Sequence, residues 1–509
     1  MNHRFFFPFL TVIILLNAAV GYSENDPMII NSGKAEFNGK EISLSGHVVV
    51  EHDLGSLEAN QMTLVPEKMN EKIQAKHLSL KEDVNIALKN AGKLSCHLAE
   101  IDFSNLTGKF YGGANQEFVA YTEFFADKNG ESVPLVVKSR EMIMQIAQEN
   151  DEPNHSTKTS VSNINAEKEV TVNYNNDFMA SADQASYQRV KCCDDQDQKN
   201  KHLAGLITLR ANEEHGVCQI TNRNGDMITS DNLCIDTNQR QLFFAYPKGA
   251  LYTAQNKDVR NRIDFSSDTM TWEDKVNSLT LRENVVIHQN GLGTLVSDKD
   301  VKINQETVDG KKQLNTILSS GKTVIRYMEQ DKEIAHILTC HGQVCVDNKQ
   351  LKTTMDSPSA MSGKILRENQ VSFQDPMGDI FADKLIIDYI NTDNNLKPVK
   401  ITLEGNVHIL NRCSVDAENK SDFIQYAIAD SVEYTPQAKE ITLKANPNSR
   451  VLFLDKVNNL QVSAPALKIR RDETTKKESI QGIGNVRFTF VKKEIEMMSS
   501  EFHLDPTQK

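Results

Sequence analysis

The chain has 509 residues, of which 25% are charged and 39% are hydrophobic, a composition typical of folded globular domains rather than disordered segments. Because a chain of this length exceeds what one hydrophobic core can organise, it should divide into about two to four domains. The formal net charge of -12 argues against nucleic acid as the main partner, since phosphate binding needs a basic surface.

The N-terminal segment has the features of an export signal. His3 and Arg4 supply a short basic start, residues 5–20 are nearly all apolar, and Ala19-Val20-Gly21 resembles a small-x-small cleavage site. The apolar run is shorter than the ~20 residues that a membrane-spanning helix needs. We therefore predict a signal peptide over residues 1–23 and an exported protein, with an uncleaved N-terminal anchor as the alternative.

One apolar template then recurs along the chain. A large aliphatic residue stands at every second position, with Gly or Glu in the middle position. Strict alternation of this kind predicts strands with one apolar and one polar face. The copies are 42–50, 78–86, 279–287, 401–409 and 480–488, with a weaker one at 338–346.

A second motif pairs a small residue with Asp or Asn between apolar positions. In Ala59-Asn60, Ser230-Asp231 and Ala382-Asp383 the apolar parity changes across the pair, which predicts a bulge, a sharp bend or a turn. Each alternative places a corner there. Related pairs are Ala182-Asp183, Ser297-Asp298 and Ala429-Asp430.

Part of the chain is duplicated. Residues 207–212 match residues 441–446, and in the same register Leu233 and Ile235 align with Leu467 and Ile469. The earlier copy carries an insertion over 191–202, which we interpret as an exposed loop. The duplication supports tandem modules of one fold.

The module boundaries follow from polar stretches and local spacing. The predicted modules are 24–147, 168–305 and 314–509, the last being one long or two short modules. A polar linker is predicted over 148–167, and a short helix over 139–147 is expected to close the first module.

Eight cysteines in so long a chain do not make a disulfide scaffold. Cys218 and Cys234 flank a predicted hairpin, and the sequence leaves open whether they pair. Vicinal Cys192 and Cys193 lie in the polar insertion, where a solvated loop is favoured over a metal or redox site.

The best candidate for a metal site combines His336, Cys340, His341 and Cys345. On a regular strand His336 and Cys340 point away from His341 and Cys345, whereas a tetrahedral zinc site needs four convergent ligands. We therefore predict no metal and no cofactor.

Catalytic motifs are also missing from the sequence. It contains no phosphate-binding glycine loop, no serine-nucleophile elbow and no carboxylate pair on an apolar face. Glu82 and Glu283 have the apolar parity, but they occupy the template position of Gly46 and Gly405, which indicates a rim position. The chain is predicted not to be an enzyme.

The template resembles a known pattern. Gly405-Asn406-Val407 and Gly484-Asn485-Val486, each preceded by alternating apolar residues, resemble the OstA-like family of periplasmic lipopolysaccharide-transport proteins LptA and LptC and the N-terminal domain of LptD. The best match is 33–64, where Gly46-His47-Val48 replaces Gly-Asn-Val and Ala59-Asn60 forms the corner. The chain departs from the family in being far longer than a single-module carrier and in lacking the barrel strands of LptD.

The resemblance implies an all-β fold of tandem open β-jellyrolls, each with two antiparallel sheets facing an apolar groove. It also implies a periplasmic location, lipopolysaccharide or lipid A as cargo, an ATP-driven extractor elsewhere, and contacts with inner- and outer-membrane transport complexes. Other jellyroll components are expected to join by pairing of edge strands. The predicted groove-lining residues are Ile42, Leu44, Val48, Val50, Leu57, Met62, Leu64, Leu80, Val84, Ile86, Leu281, Val285, Leu403, Val407 and Ile409.

Two other functions compete with lipid transport. The first is a structural cell-envelope scaffold with a dry core and no lipid cargo. The second is a polysaccharide-active β-helix enzyme, which would need regular rungs and an acid pair that the sequence lacks.

Overall fold

The computed structural model describes residues 29–489. The exceptions within this range are 53–54, 70–71, 89–91, 115, 127–130, 152–155, 193–201, 213–215, 223–224, 253–261, 290–292, 309–310, 329–334, 359–366, 376–377, 393–394, 413–422, 458 and 472–477. The predicted signal peptide lies outside the described residues. Within these residues, no helix has both the length and the hydropathy of a membrane span.

The described chain is built almost entirely of antiparallel strands, which confirms the all-β fold class. The strands of the first half are β1 (Ile29–Asn31), β2 (Lys34–Phe37), β3 (Ile42–His52), β4 (Gly55–Met69), β5 (Lys72–Leu88), β6 (Gly92–Asp102), β7 (Thr107–Tyr111), β8 (Val119–Ala126), β9 (Ser132–Ser139), β10 (Glu141–Asp151), β11 (Ser156–Tyr174), β12 (Phe178–Cys192), β13 (His202–Arg210), β14 (Cys218–Asn222), β15 (Met227–Ser230), β16 (Asn232–Asp236) and β17 (Gln241–Ala245).

The second half continues the same pattern. Its strands are β18 (Lys248–Tyr252), β19 (Arg262–Ser266), β20 (Thr269–Glu273), β21 (Ser278–Arg282), β22 (Val285–Gln289), β23 (Gly293–Ser297), β24 (Val301–Val308), β25 (Lys311–Ser320), β26 (Thr323–Met328), β27 (Ala335–Cys340), β28 (Gln343–Asp347), β29 (Lys352–Asp356), β30 (Val371–Asp375), β31 (Gly378–Ala382), β32 (Lys384–Thr392), β33 (Asn395–Arg412), β34 (Phe423–Thr435), β35 (Glu440–Lys444), β36 (Val451–Asp455), β37 (Leu460–Ala464), β38 (Ala466–Arg471), β39 (Glu478–Ile483) and β40 (Arg487–Thr489). Single turns of 3-10 helix lie at Asp274–Val276, Arg367–Asn369 and Pro436–Ala438.

The chain forms two compact units. Unit 1 is Met1–Pro247 with Thr271–Lys275, and unit 2 is Lys248–Met270 with Val276–Lys509. The division into the three predicted modules stays a prediction.

Each unit contains two sheets. In unit 1 the first sheet runs β2, β3, β4, β5, β6, β7, β10, β11, β12, β13, β16 and β17, and the second runs β1, β3, β4, β5, β6, β8, β9, β11, β12, β14 and β15. Long strands such as β4, β5 and β12 therefore belong to both sheets, and the chain bends where such a strand passes from one to the other.

Unit 2 repeats this arrangement. Its first sheet runs β21, β24, β25, β28, β29, β32, β33, β34, β35, β38 and β39. Its second sheet runs β18, β19, β22, β23, β26, β27, β30, β31, β33, β34, β36, β37 and β40.

The corners between the sheets coincide with both sequence motifs. In unit 2 the middle template residue Gly405 has φ 74° and Asn406 has φ 46°, so the backbone turns through two left-handed residues. Opposite them the Asp383 N–H donates to the carbonyl oxygen of Gly405 at 2.9 Å, and the Asn406 amide donates to the Asp383 carboxylate at 2.7 Å. The corner predicted at Ala382-Asp383 is confirmed.

The same hydrogen-bonded corner recurs where Glu replaces Gly at the middle position of the template. Glu283 has φ 59°, the Asp268 N–H donates to its carbonyl oxygen at 3.0 Å, and the Asn284 amide donates to the Asp268 carboxylate at 2.7 Å. Glu82, at φ 61°, is likewise exposed at a corner. Glu82 and Glu283 are therefore exposed corner residues that lie outside the apolar interior, beside its base rather than at the predicted rim.

The corner residues predict two substitutions with opposite effects. Gly405→Ala should lower the free energy of unfolding by about 1–2 kcal/mol, the cost of a left-handed residue with a Cβ, and its Cβ would lie 2.5 Å from the Asp383 carboxylate. Glu283→Gly should raise it by about 1 kcal/mol because glycine adopts this φ without strain. Urea unfolding measures both, and shifts in the same direction would contradict the account.

The duplicated segments make equivalent contacts in the two units. Ile207 and Leu209 pair with Ile235 and Leu233, as Ile441 and Leu443 pair with Ile469 and Leu467. The N–H groups that end the two matched segments both donate to a corner aspartate, from Asn212 to Asp183 at 2.7 Å and from Asn446 to Asp430 at 2.6 Å. The register read from the sequence is therefore the structural register.

The helix predicted over 139–147 is wrong. Glu141–Asp151 is strand β10, in which Met142 and Met144 are buried and pair with Ala166 and Ile164 of β11. Their spacing of two is the period of a strand, and burial on one face decided the outcome. Most of the predicted linker over 148–167 is likewise strand, because β10 pairs with β11 from Glu141 to Asp151.

Candidate functional site

The two sheets of each unit enclose an apolar interior whose base lies beside the corners. There Val48, Leu80 and Val84 of unit 1 and Leu281 and Val407 of unit 2 are all 0% exposed. Side chains so completely covered pack against protein atoms, so the base of the interior is filled in both units.

The predicted lining residues all lie on these interior faces. Leu57, Ile86 and Ile409 are half-buried, and the other twelve are buried. The buried ones are Ile42, Leu44, Val48, Val50, Met62, Leu64, Leu80, Val84, Leu281, Val285, Leu403 and Val407. Their part in lipid binding stays a prediction, and most of them lie too deep to contact a ligand without movement of the sheets.

The next row of side chains, two positions further from the corner, differs between the units. In unit 1 this row is half-buried at Leu57, Ile86 and Ile101 but buried further along both sheets, with Ile207 and Ile235 on the first sheet and Ile220 and Ile228 on the second. In unit 2 the row is half-buried on the strands from β25 to β39 of the first sheet, except that Thr353 of β29 is buried, and on the strands from β23 to β33 of the second.

We call this half-buried surface of unit 2 the apolar groove. Its residues on the first sheet are Ile317, Val346, Ile387, Ile401, Ile441, Ile469 and Ile480, and on the second sheet Leu295, Ile325, Leu338, Phe373, Ile380 and Ile409. Most of them pack on one buried cluster to which both sheets contribute. At a strand spacing of about 4.8 Å, the nine strands of the first sheet give a groove on the order of 40 Å long.

The next row of the second sheet, towards solvent, is aromatic and polar. The His336 ring stacks between Tyr327, at 6.0 Å, and Phe373, at 5.7 Å between ring centroids. Further along, the Asn411 amide donates to the Gln425 side-chain oxygen at 2.9 Å, and the Gln425 amide donates to the Asp455 carboxylate at 3.2 Å. The groove is therefore aliphatic at its base and polar at its edge, as an amphipathic ligand requires.

Of the residues that form the apolar groove, only Ile409 was among the predicted groove-lining residues. The predicted lining residues lie at the base of the interior because the template centres on the corner. The signal for the groove was present two positions further out, at Ile387 and Ile401, but the pattern alone does not show where the sheets part.

Burial raises the pKa of the thiols Cys96, Cys218, Cys234, Cys340 and Cys345. Burial raises the pKa of the Cys96 thiol to about 12 and that of Cys218 to about 11, so both stay protonated and unreactive at neutral pH. Cys218 and Cys234 are both free thiols, so they do not pair with each other. Cys193 and most of the predicted insertion lie outside the described residues.

The predicted metal ligands do not converge. Cys340 is buried at the base of the interior, with its Sγ 3.5 Å from the Asp356 carbonyl oxygen, and His336 lies between two aromatic rings. No group of three or more His, Cys, Asp or Glu side chains that could hold a metal ion is found in the described part of the chain.

No protein-family model matches the sequence, and no curated protein matches it. Among solved structures, the chain is similar to LptH, the LptA homologous periplasmic component of the lipopolysaccharide transport device from Pseudomonas aeruginosa. The alignment has 12% sequence identity and a TM-score of 0.20, and it covers 31% of this chain and 87% of LptH.

Proposed function

We propose that the chain binds the acyl chains of a lipid in the apolar groove of unit 2, and that the lipid is lipopolysaccharide or its lipid A moiety in transit across the periplasm. The observation that supports this proposal is the pair of facing rows of half-buried apolar side chains. On the first sheet the row is aliphatic on seven of its nine strands, with Thr353 on β29 and Tyr434 on β34. Soluble proteins rarely leave so long an apolar surface in contact with water unless a ligand or partner covers it.

The energetics favour a carrier over a deep binding pocket. Each buried methylene gains about 0.8 kcal/mol, so a single acyl chain supplies ample affinity. Because most of the strands present similar Ile, Leu and Val side chains, an acyl chain loses little free energy in moving from one such strand to the next. The proposed role is therefore passive and non-enzymatic, without cofactor or metal, and any energy for transport comes from a partner.

The strands at the two ends of the chain support assembly with other jellyroll components. Among the described residues, β1 and β2 pair only with β3, and the nearby Ile29 and Phe37 are exposed. Among the last strands that the structure describes, Ile483 of β39 and Phe488 of β40 are exposed. Partners in the inner and outer membrane are proposed to join through strand addition at these edges.

Photo-crosslinking tests the cargo. Benzophenone side chains at Ile401 and Ile409, which face the groove, should form adducts with purified lipid A. The matched control is Thr402, the neighbour of Ile401 that points out of the same strand and should form none. Adducts only within the protein at all three positions would support the structural scaffold instead.

A further inference from the structure

The interior of unit 1 contains a buried ion pair that crosses from one sheet to the other. Glu123 lies on β8 of the second sheet, and Arg189 lies on the part of β12 that belongs to the first sheet. Their side chains are 5% and 7% exposed and form an ion pair. Since β8 pairs with β6 and β9 rather than with β12, this contact spans the interior.

Two tyrosines complete the contact, one from each sheet. The hydroxyls of Tyr121 and Tyr187 donate to the same Glu123 carboxylate oxygen at 2.5 Å and 2.9 Å, and the two rings lie 6.0 Å apart. Phe125 packs on the Tyr187 ring at 6.1 Å. Gly205 is needed beside them, because a Cβ there would lie 2.6 Å from the Tyr187 ring.

A second polar bridge lies in the same unit. Arg240, in the turn that precedes β17 of the first sheet, donates to Asp274 at 2.7 Å and to Glu131, which precedes β9 of the second sheet, at 2.8 Å. The Asn175 amide, in the turn between β11 and β12, donates to Asp274 at 3.2 Å. Both bridges connect side chains two rows or more away from the corners.

These contacts explain why the units differ. Between β8 and β12 of unit 1, where aromatic rings and an ion pair join the sheets, the second interior row is buried, whereas in unit 2 most of this row is aliphatic and half-buried. To admit an acyl chain between β8 and β12, unit 1 would have to separate Glu123 from Arg189, and a buried charge that loses its partner carries a large free-energy penalty.

We infer that the bridge of Glu123, Arg189, Tyr121 and Tyr187 excludes acyl chains from the part of unit 1 between β8 and β12, so that this residue set restricts where lipid binds. The inference that lipid binds in unit 2 rests on the proposed function. The inference that the bridge closes this part of unit 1 does not rest on it, and this closure can be measured without lipid.

The test of closure uses thiol labelling. Val137 is a buried interior residue of the second sheet and pairs with Tyr121 across the strands. Val137→Cys should be alkylated by N-ethylmaleimide at least tenfold more slowly than Ile409→Cys, with the labelled peptides identified by mass spectrometry. Adding Glu123→Gln, which keeps the side-chain shape and removes the charge, should raise the rate at position 137 about tenfold and leave position 409 unchanged.

The control variant replaces the ion pair by apolar side chains of similar length, Glu123→Leu with Arg189→Met, and should keep position 137 slow. Equal rates at positions 137 and 409 in the parent background would overturn the inference even if Glu123→Gln fails to fold.

A benzophenone side chain at position 137 separates this inference from the proposed function. Lipid A adducts there as abundant as at Ile409 overturn the exclusion, whereas adducts at neither position, with slow labelling at 137, overturn the cargo and leave the closure intact.

Discussion

Glu123→Ala is expected to lower the free energy of unfolding by about 3–5 kcal/mol, because it leaves the Arg189 guanidinium buried without its carboxylate. The same substitution removes the acceptor of two tyrosine hydroxyls. Desolvation raises the pKa of Glu123, so its ionised form depends on Arg189 and on these hydroxyl donors. Urea unfolding monitored by circular dichroism measures the loss.

The double variant Glu123→Leu/Arg189→Met is the matched comparison. It removes both charges together, and such replacements of buried pairs are often neutral or stabilising by about 1–4 kcal/mol. A double variant as unstable as Glu123→Ala would show that the hydrogen bonds of the cluster, rather than the unpaired charge, dominate its contribution.

The second large effect concerns the apolar groove. Ile387→Glu combined with Ile409→Glu should weaken lipid A binding at least ~tenfold, since losing the burial of even two methylenes costs about 1.6 kcal/mol. Both positions are half-buried, so the carboxylates can reach water and the fold should persist. Isothermal titration against lipid A micelles measures the affinity, and circular dichroism checks the fold.

The control for this variant is Thr402→Glu on the outer face of β33, which should bind lipid A as the parent chain does. Equal affinity of the groove variant and the parent chain would contradict lipid binding in unit 2. Charges at Val48 or Val84 would not be informative, because these side chains are fully buried and a carboxylate there would unfold the base of the interior.

Local patterns predicted the elements of this fold well. Alternation in 42–50 and 401–409 specified strands, and the pairs Ala59-Asn60 and Ala382-Asp383 specified corners, because both signals depend only on neighbours along the chain. The segment 139–147 was predicted wrongly, since the alternating Met142 and Met144 fit a helix as well as a strand until β11 is known to cover one face.

The sequence alone determined an all-β chain with repeated corners and an apolar interior, because strand period and turn chemistry are written in adjacent residues. Only the tertiary structure decided which stretch of that interior is open. Glu123 and Arg189 are 66 positions apart and meet across two sheets. Such a contact depends on how many strands intervene and on how each sheet is registered, which no local pattern encodes.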